Sequence, residues 1–217
     1  IISTTLDNQL KLATSLDANK YSFRDIIHQH LENEPWLELG IDLVLGKRID
    51  VIVDNKNLMF LPKYMEEIFD KSSLKNNGLE NKLILRKKEI IISQPKEEKI
   101  SNITKYSWTI FVLTILLLIF KREKIFNYWS IINFSIFGIL GLLLIFMWFG
   151  TDHQATKFNL NLLWASPFNL LLIYFIISKK WNFTSYWYLI ISLGLIFTTI
   201  LFWFTLTQEF NAFVKPL

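Results

Sequence analysis

The sequence predicts a mainly helical fold: a polytopic membrane bundle of four spans with a small α+β extramembrane domain. Three observations carry this. The chain is 52% apolar and 16% aromatic yet 19% charged, a mixture that one soluble core does not absorb. Its charges are segregated, crowding residues 1–105 and occurring beyond Lys105 only as short clusters: Lys121 to Lys124, Asp152 with Lys157, Lys179 with Lys180, Glu209 and Lys215. Between those clusters, Tyr106 to Phe120, Tyr128 to Phe149, Phe158 to Ser178 and Tyr186 to Leu206 contain no Lys, Arg, Asp, Glu or His. The domain boundary is placed near Ser101 to Lys105, giving residues 1–100 as the distal part of an extramembrane domain and 101–217 as the transmembrane domain.

The hydrocarbon core, about 30 Å thick, asks for roughly 20 apolar residues in a helix. The last three stretches fit. The first is short and needs Ile103 inside the span, with Lys105 reaching back to the headgroups, so the expected spans are 103–120, 128–149, 158–178 and 186–206. Tyr106, Trp108, Tyr128, Trp129, Trp148, Tyr186 and Trp187 fall near span ends, where amphipathic rings prefer the interface. Lys121, Arg122 and Lys124 in one short loop, and Lys179 with Lys180 in another, place those loops in the cytoplasm. By alternation residues 1–100, the loop 150–157 and the tail from Thr207 face the other side, which at the inner membrane of a diderm bacterium is the periplasm.

In the extramembrane part, Ser22 caps a helix running through His30, with Asp25 three positions on as the complementary acid. Pro35 opens a second helix that closes at Gly46, and its run from Trp36 to Leu45 is apolar enough to pack on two sides or rest on a membrane surface. A third helix is expected from Pro62 through Phe69. Lys82 to Ser93 reads as a strand pair or one long strand, and Gln94 to Ser101 as a linker.

Composition also excludes function classes. A net charge of +4, without a basic face interleaved with aromatics, sets nucleic acid aside. The absence of cysteine rules out a disulfide framework, a thiolate metal site or a thiol nucleophile within these residues. His28 and His30 are two apart, about 200° around a helix, unlike the four-residue spacing that brings two imidazoles to one ion. No metal site and no cofactor are expected. Arg24 and Asp42 can pair or orient a neighbour, although helix-face charges are commonly solvated. Asn159 and Asn161 bring carboxamides to the mouth of a span that Pro167 interrupts. Such groups need partners inside the bundle, as a site or pocket or as hydrogen bonds between helices.

Several runs together carry a family resemblance. Asp152-His153-Gln154-Ala155-Thr156, then Asn159 to Trp164 and Pro167, resemble the hallmark loop of the Lnb-type lipoprotein N-acyltransferases. Ser22 to Ile27, Pro35 to Gly46 and Met59 to Pro62 are similar to the distal part of that family's periplasmic domain, and Gln208 to Asn211 with Pro216-Leu217 to the run before its fifth helix. The resemblance implies a papain-like or lipase-like periplasmic domain followed by five membrane helices. It implies transfer of an acyl chain from membrane phospholipid to the amino-terminal cysteine of bacterial lipoproteins, through a thioester on an enzyme cysteine.

This chain departs from that pattern by having no cysteine. It is therefore expected to be a portion truncated at both ends and inactive alone, its partners being phospholipid and lipoproteins. On this reading His153 and Asp152 are the catalytic candidates, steering a headgroup or moving a proton. Asn159, Asn161 and Trp164 line the lipid or lipoprotein path, and Arg24 contacts phosphate. The competing reading is a membrane-anchored periplasmic binding or assembly protein. A transporter is disfavoured by spans without ionisable residues or inverted repeats.

Overall fold

The computed structural model describes residues 9–15, 17, 19–76, 79–88, 102–203 and 205–214. Two compact units emerge, Ile1–Ile27 with Val51–Glu98, and His28–Asp50 with Lys99–Leu217.

The first unit holds a three-stranded antiparallel sheet of β1 (Leu10–Lys11), β2 (Ser73–Asn76) and β3 (Leu79–Lys82) in the order β1-β2-β3, with Leu10 opposite Leu74 and Ser73 opposite Lys82. Helix α1 (Phe23–Leu31) starts in this unit. Ser22 Oγ accepts from the Asp25 amide at 3.1 Å, while Asp25 Oδ2 accepts from the Ser22 amide at 2.8 Å. This reciprocal cap is the one the sequence predicts. The short α3 (Asn55–Leu58) is capped by Asp54, and α4 (Pro62–Lys71) opens on a proline. Their apolar faces converge on a core of Ile26, Val53, Leu58, Tyr64 and Ile68. The strands end at Lys82, earlier than the expected 82–93 pair. The charged Arg86-Lys87-Lys88 run follows without strand structure, and residues 89–93, like the linker 94–101, lie outside the described residues.

The second unit contains α2 (Pro35–Val44) and four apolar helices: α5 (Thr104–Ile119), α6 (Glu123–Phe149), α7 (Asn169–Ser178) and α8 (Phe183–Leu201). Two of them, α6 with 27 residues and α8 with 19, are long and apolar enough to cross a membrane; α5 and α7 are apolar but shorter, with 16 and 10. At about 1.5 Å per residue α7 rises only about 15 Å, half a hydrocarbon core. The expected span 158–178 is thus helical only in its second half. Phe158 takes a left-handed backbone (φ 57°), Leu160–Leu163 form a 3-10 turn, and Pro167 precedes the helix.

Close backbone contact joins this broken segment to α6. A Cβ on Gly141 would strike the carbonyl oxygen of Ala165 and the ring of Pro167, so the absence of a side chain there lets the chain run against the helix. Trp129 Nε1 donates to Thr114 Oγ1 at 2.9 Å, tying α5 to α6. Large apolar side chains such as Ile139, Phe146, Leu193 and Phe197 point outward with more than half their surface exposed. Such an apolar exterior is matched to hydrocarbon and not to water.

Candidate functional site

The carboxyl end of α2 leaves its last carbonyls without intrahelical partners, and the non-helical stretch after Phe158 supplies them. Asn159 Nδ2 donates to the carbonyls of Leu43 at 2.7 Å and Val44 at 3.0 Å. Asn161 Nδ2 donates to those of Asp42 and Leu43, both at 3.1 Å. The two asparagines are themselves fixed. Asn159 Oδ1 accepts from the Asn161 amide (2.9 Å) and from Gln208 Nε2 (3.2 Å), Gln208 Oε1 accepts from the Leu160 amide (2.7 Å), and Asn161 Oδ1 accepts from Trp164 Nε1 (3.1 Å). Asn159, Asn161 and Gln208 are each at most 2% exposed. Among the described residues no buried side-chain nitrogen or oxygen lacks a hydrogen-bond partner.

The same seam continues at Gly46, whose amide donates to the Ala155 carbonyl at 2.9 Å. A Cβ there would run into the Lys157 carbonyl oxygen, so glycine permits two backbone segments to touch. The following side chains, Lys47 and Arg48, lie over the Phe158 ring, with Nζ 5.6 Å and the guanidinium carbon 4.9 Å from its centroid, within cation–π range. Arg48 also donates to Gln154 Oε1.

At the other face of α2, Asp42 is 2% exposed. Its Oδ1 is 2.8 Å from His28 Nε2, and its Oδ2 accepts from Asn211 Nδ2 at 2.8 Å. The bond to Asp42 raises the His28 pKa above its ordinary value, outweighing the opposing effect of burial; the charges of Asp42, Glu38 and Glu209 act in the same upward direction. Burial raises the Glu38 carboxyl, with the imidazolium of His28 pulling the other way.

The sequence candidates therefore fall into separate places. Asn159, Asn161 and Trp164 come together in the seam. Trp164 also lines, with Phe137, Leu172, Leu189, Ile196 and Trp203, a largely apolar cavity of about 230 Å³ among the apolar helices. Asp152 and His153 are exposed in the loop after α6. Arg24 is buried, 1% exposed, in the first unit. Sequence reasoning did not find Glu38, Gln208 or Asn211 as site neighbours, nor the pairing of His28 with Asp42. The four-residue spacing of Glu38 and Asp42 on one helix face was the available signal.

The fold and this polar seam define a helical membrane protein whose broken apolar segment is stitched to a helix from the amino-terminal part of the chain. The Lnb transmembrane domain matches residues 97–217, more than half of the sequence, and the chain belongs to that family. No curated protein and no solved structure matches it.

Proposed function

We propose that this chain is the membrane portion of a bacterial lipoprotein N-acyltransferase, which moves an acyl chain from phospholipid to the amino-terminal cysteine of a lipoprotein. The observation that carries the reading is the family match over 97–217. The apolar cavity walled by Trp164 supports it, because its volume accommodates part of an acyl chain within the bundle. These 217 residues hold no cysteine, so in this reading they supply the membrane part of the site and not the thiol of an acyl-enzyme.

In this reading four segments cross the inner membrane. The non-helical half of 158–178 is tolerated there because its polar groups are satisfied within the protein. The loop 150–157 and the amino-terminal part face the periplasm. His153, with Asp152 beside it, steers the headgroup or moves a proton, aided by the exposed cations Lys47 and Arg48 on the Phe158 ring. Trp164 meets the acyl chain. Asn159 and Asn161 serve the lipid path by fixing its wall, their amides being committed to α2.

The test is lipoprotein N-acylation in cells whose only copy of the full-length gene carries His153→Ala. A loss of about 100-fold is expected of a residue engaged in proton transfer. Acylation at the wild-type rate would remove the loop from the mechanism.

A further inference from the structure

We infer that His28, Glu38 and Asp42 form a binding site for a divalent first-row transition ion such as Zn²⁺. One ligand atom from each, an imidazole nitrogen and two carboxylate oxygens, lies within 4.8 Å of the other two. Glu38 and Asp42 are four apart on α2, so both carboxylates project from one face. His28 comes from α1 and closes the third side, its Nε2 already 2.8 Å from Asp42 Oδ1. Donor atoms that each bind an ion at about 2.0–2.2 Å in a tetrahedral site stand roughly 3.3–3.6 Å apart around it, so chelation asks His28 and Asp42 to part by about half an ångström and Glu38, within 4.8 Å of both, to draw in.

One feature beyond the cluster itself favours an ion over a simple ion pair. Asp42 is held from outside the cluster, its second oxygen by Asn211 Nδ2 at 2.8 Å and its backbone carbonyl by Asn161 Nδ2 at 3.1 Å. Outer partners of this kind orient metal-binding carboxylates. A mixed nitrogen and carboxylate set suits Zn²⁺, Mn²⁺ or Fe²⁺ better than Mg²⁺ or Ca²⁺. Three protein ligands leave further coordination positions open.

The proton and the ion compete for one nitrogen. Protonated, Nε2 donates to Asp42; deprotonated, it offers its lone pair to the metal, so affinity rises with pH. His30, two residues on from His28 and exposed, takes no part.

The inference is independent of the acyl-transfer reading, and its test reads binding alone. The full chain, stripped with chelator and held in detergent micelles, is titrated with Co²⁺ by visible absorption and with Zn²⁺ by calorimetry. One equivalent is expected to bind, with visible bands of a nitrogen- and oxygen-ligated Co²⁺, and to bind more tightly at pH 8 than at pH 6. Glu38→Gln should weaken binding at least tenfold, and His30→Gln should leave it unchanged. Glu38 is only partly buried, and thermal unfolding of Glu38→Gln without metal checks that its fold is retained. No binding at millimolar ion, or equal binding by wild type and Glu38→Gln, overturns the site.

Discussion

Replacing Asn159 with alanine removes four hydrogen bonds at once: two donated to the Leu43 and Val44 carbonyls, and two accepted from the Asn161 amide and Gln208 Nε2. The Leu43 carbonyl keeps Asn161 Nδ2 as a donor. The Val44 carbonyl, the Asn161 amide and Gln208 Nε2 lose a partner in a site where Asn159 is 1% and Gln208 1% exposed. A buried polar group left unsatisfied costs about 1–3 kcal/mol. Three such groups, eased by local rearrangement, give a destabilisation of about 3–5 kcal/mol, at the upper end for single substitutions. The assay is unfolding in mixed micelles of detergent and dodecyl sulfate, followed by tryptophan fluorescence, to which Trp164 contributes directly. A change below about 0.5 kcal/mol, the size expected of a surface substitution, would refute the claim that Asn159 is the stitch between α2 and the broken segment.

The His28–Asp42 pair predicts a pH dependence of fixed sign. His28 has a raised folded-state pKa, so its stabilisation is complete below the ordinary value near 6.5 and is lost as pH rises through the raised one. The stability difference between wild type and His28→Gln, measured by thermal unfolding without metal, should be largest near pH 6 and shrink toward pH 8. Gly46→Ala pushes a methyl group into the Lys157 carbonyl and should destabilise by about 1–3 kcal/mol in the same unfolding assay, as overpacking does. These 217 residues have no cysteine, so in a full-length protein with its other cysteines replaced, Asp152→Cys and Lys180→Cys each introduce a unique thiol. A membrane-impermeant maleimide added to whole cells with a permeabilised outer membrane should label the first and spare the second.

Much of the fold was legible because its signals are local. The Ser22–Asp25 cap, the proline openings of α2 and α4, and the apolar runs of α6 and α8 are each set by residues a few positions apart, and each forms where expected. The segment 158–178 was misjudged as one helix because hydropathy does not register backbone conformation. Asn159, Asn161 and Pro167 signalled the break, yet its cause is long-range, with α2 carbonyls more than a hundred residues away drawing the asparagine amides. The same reason hides the His28 cluster. Reading histidines against each other by spacing missed that the partners of His28 are carboxylates on the next helix, brought near by tertiary packing. The strand forecast rested on two apolar runs, Leu83 to Leu85 and Ile90 to Ile92; over 83–88 no strand forms, β3 lying just upstream opposite β2, and 89–93 lie outside the described residues.

The most direct measurement of the central claim is mass spectrometry of a lipoprotein's amino-terminal peptide, from cells with and without the full-length gene, in a host lacking any other N-acyltransferase. The account predicts that the N-linked acyl chain disappears on deletion and returns with the gene. A peptide unchanged by deletion would contradict it and leave a membrane-anchored binding protein as the better description.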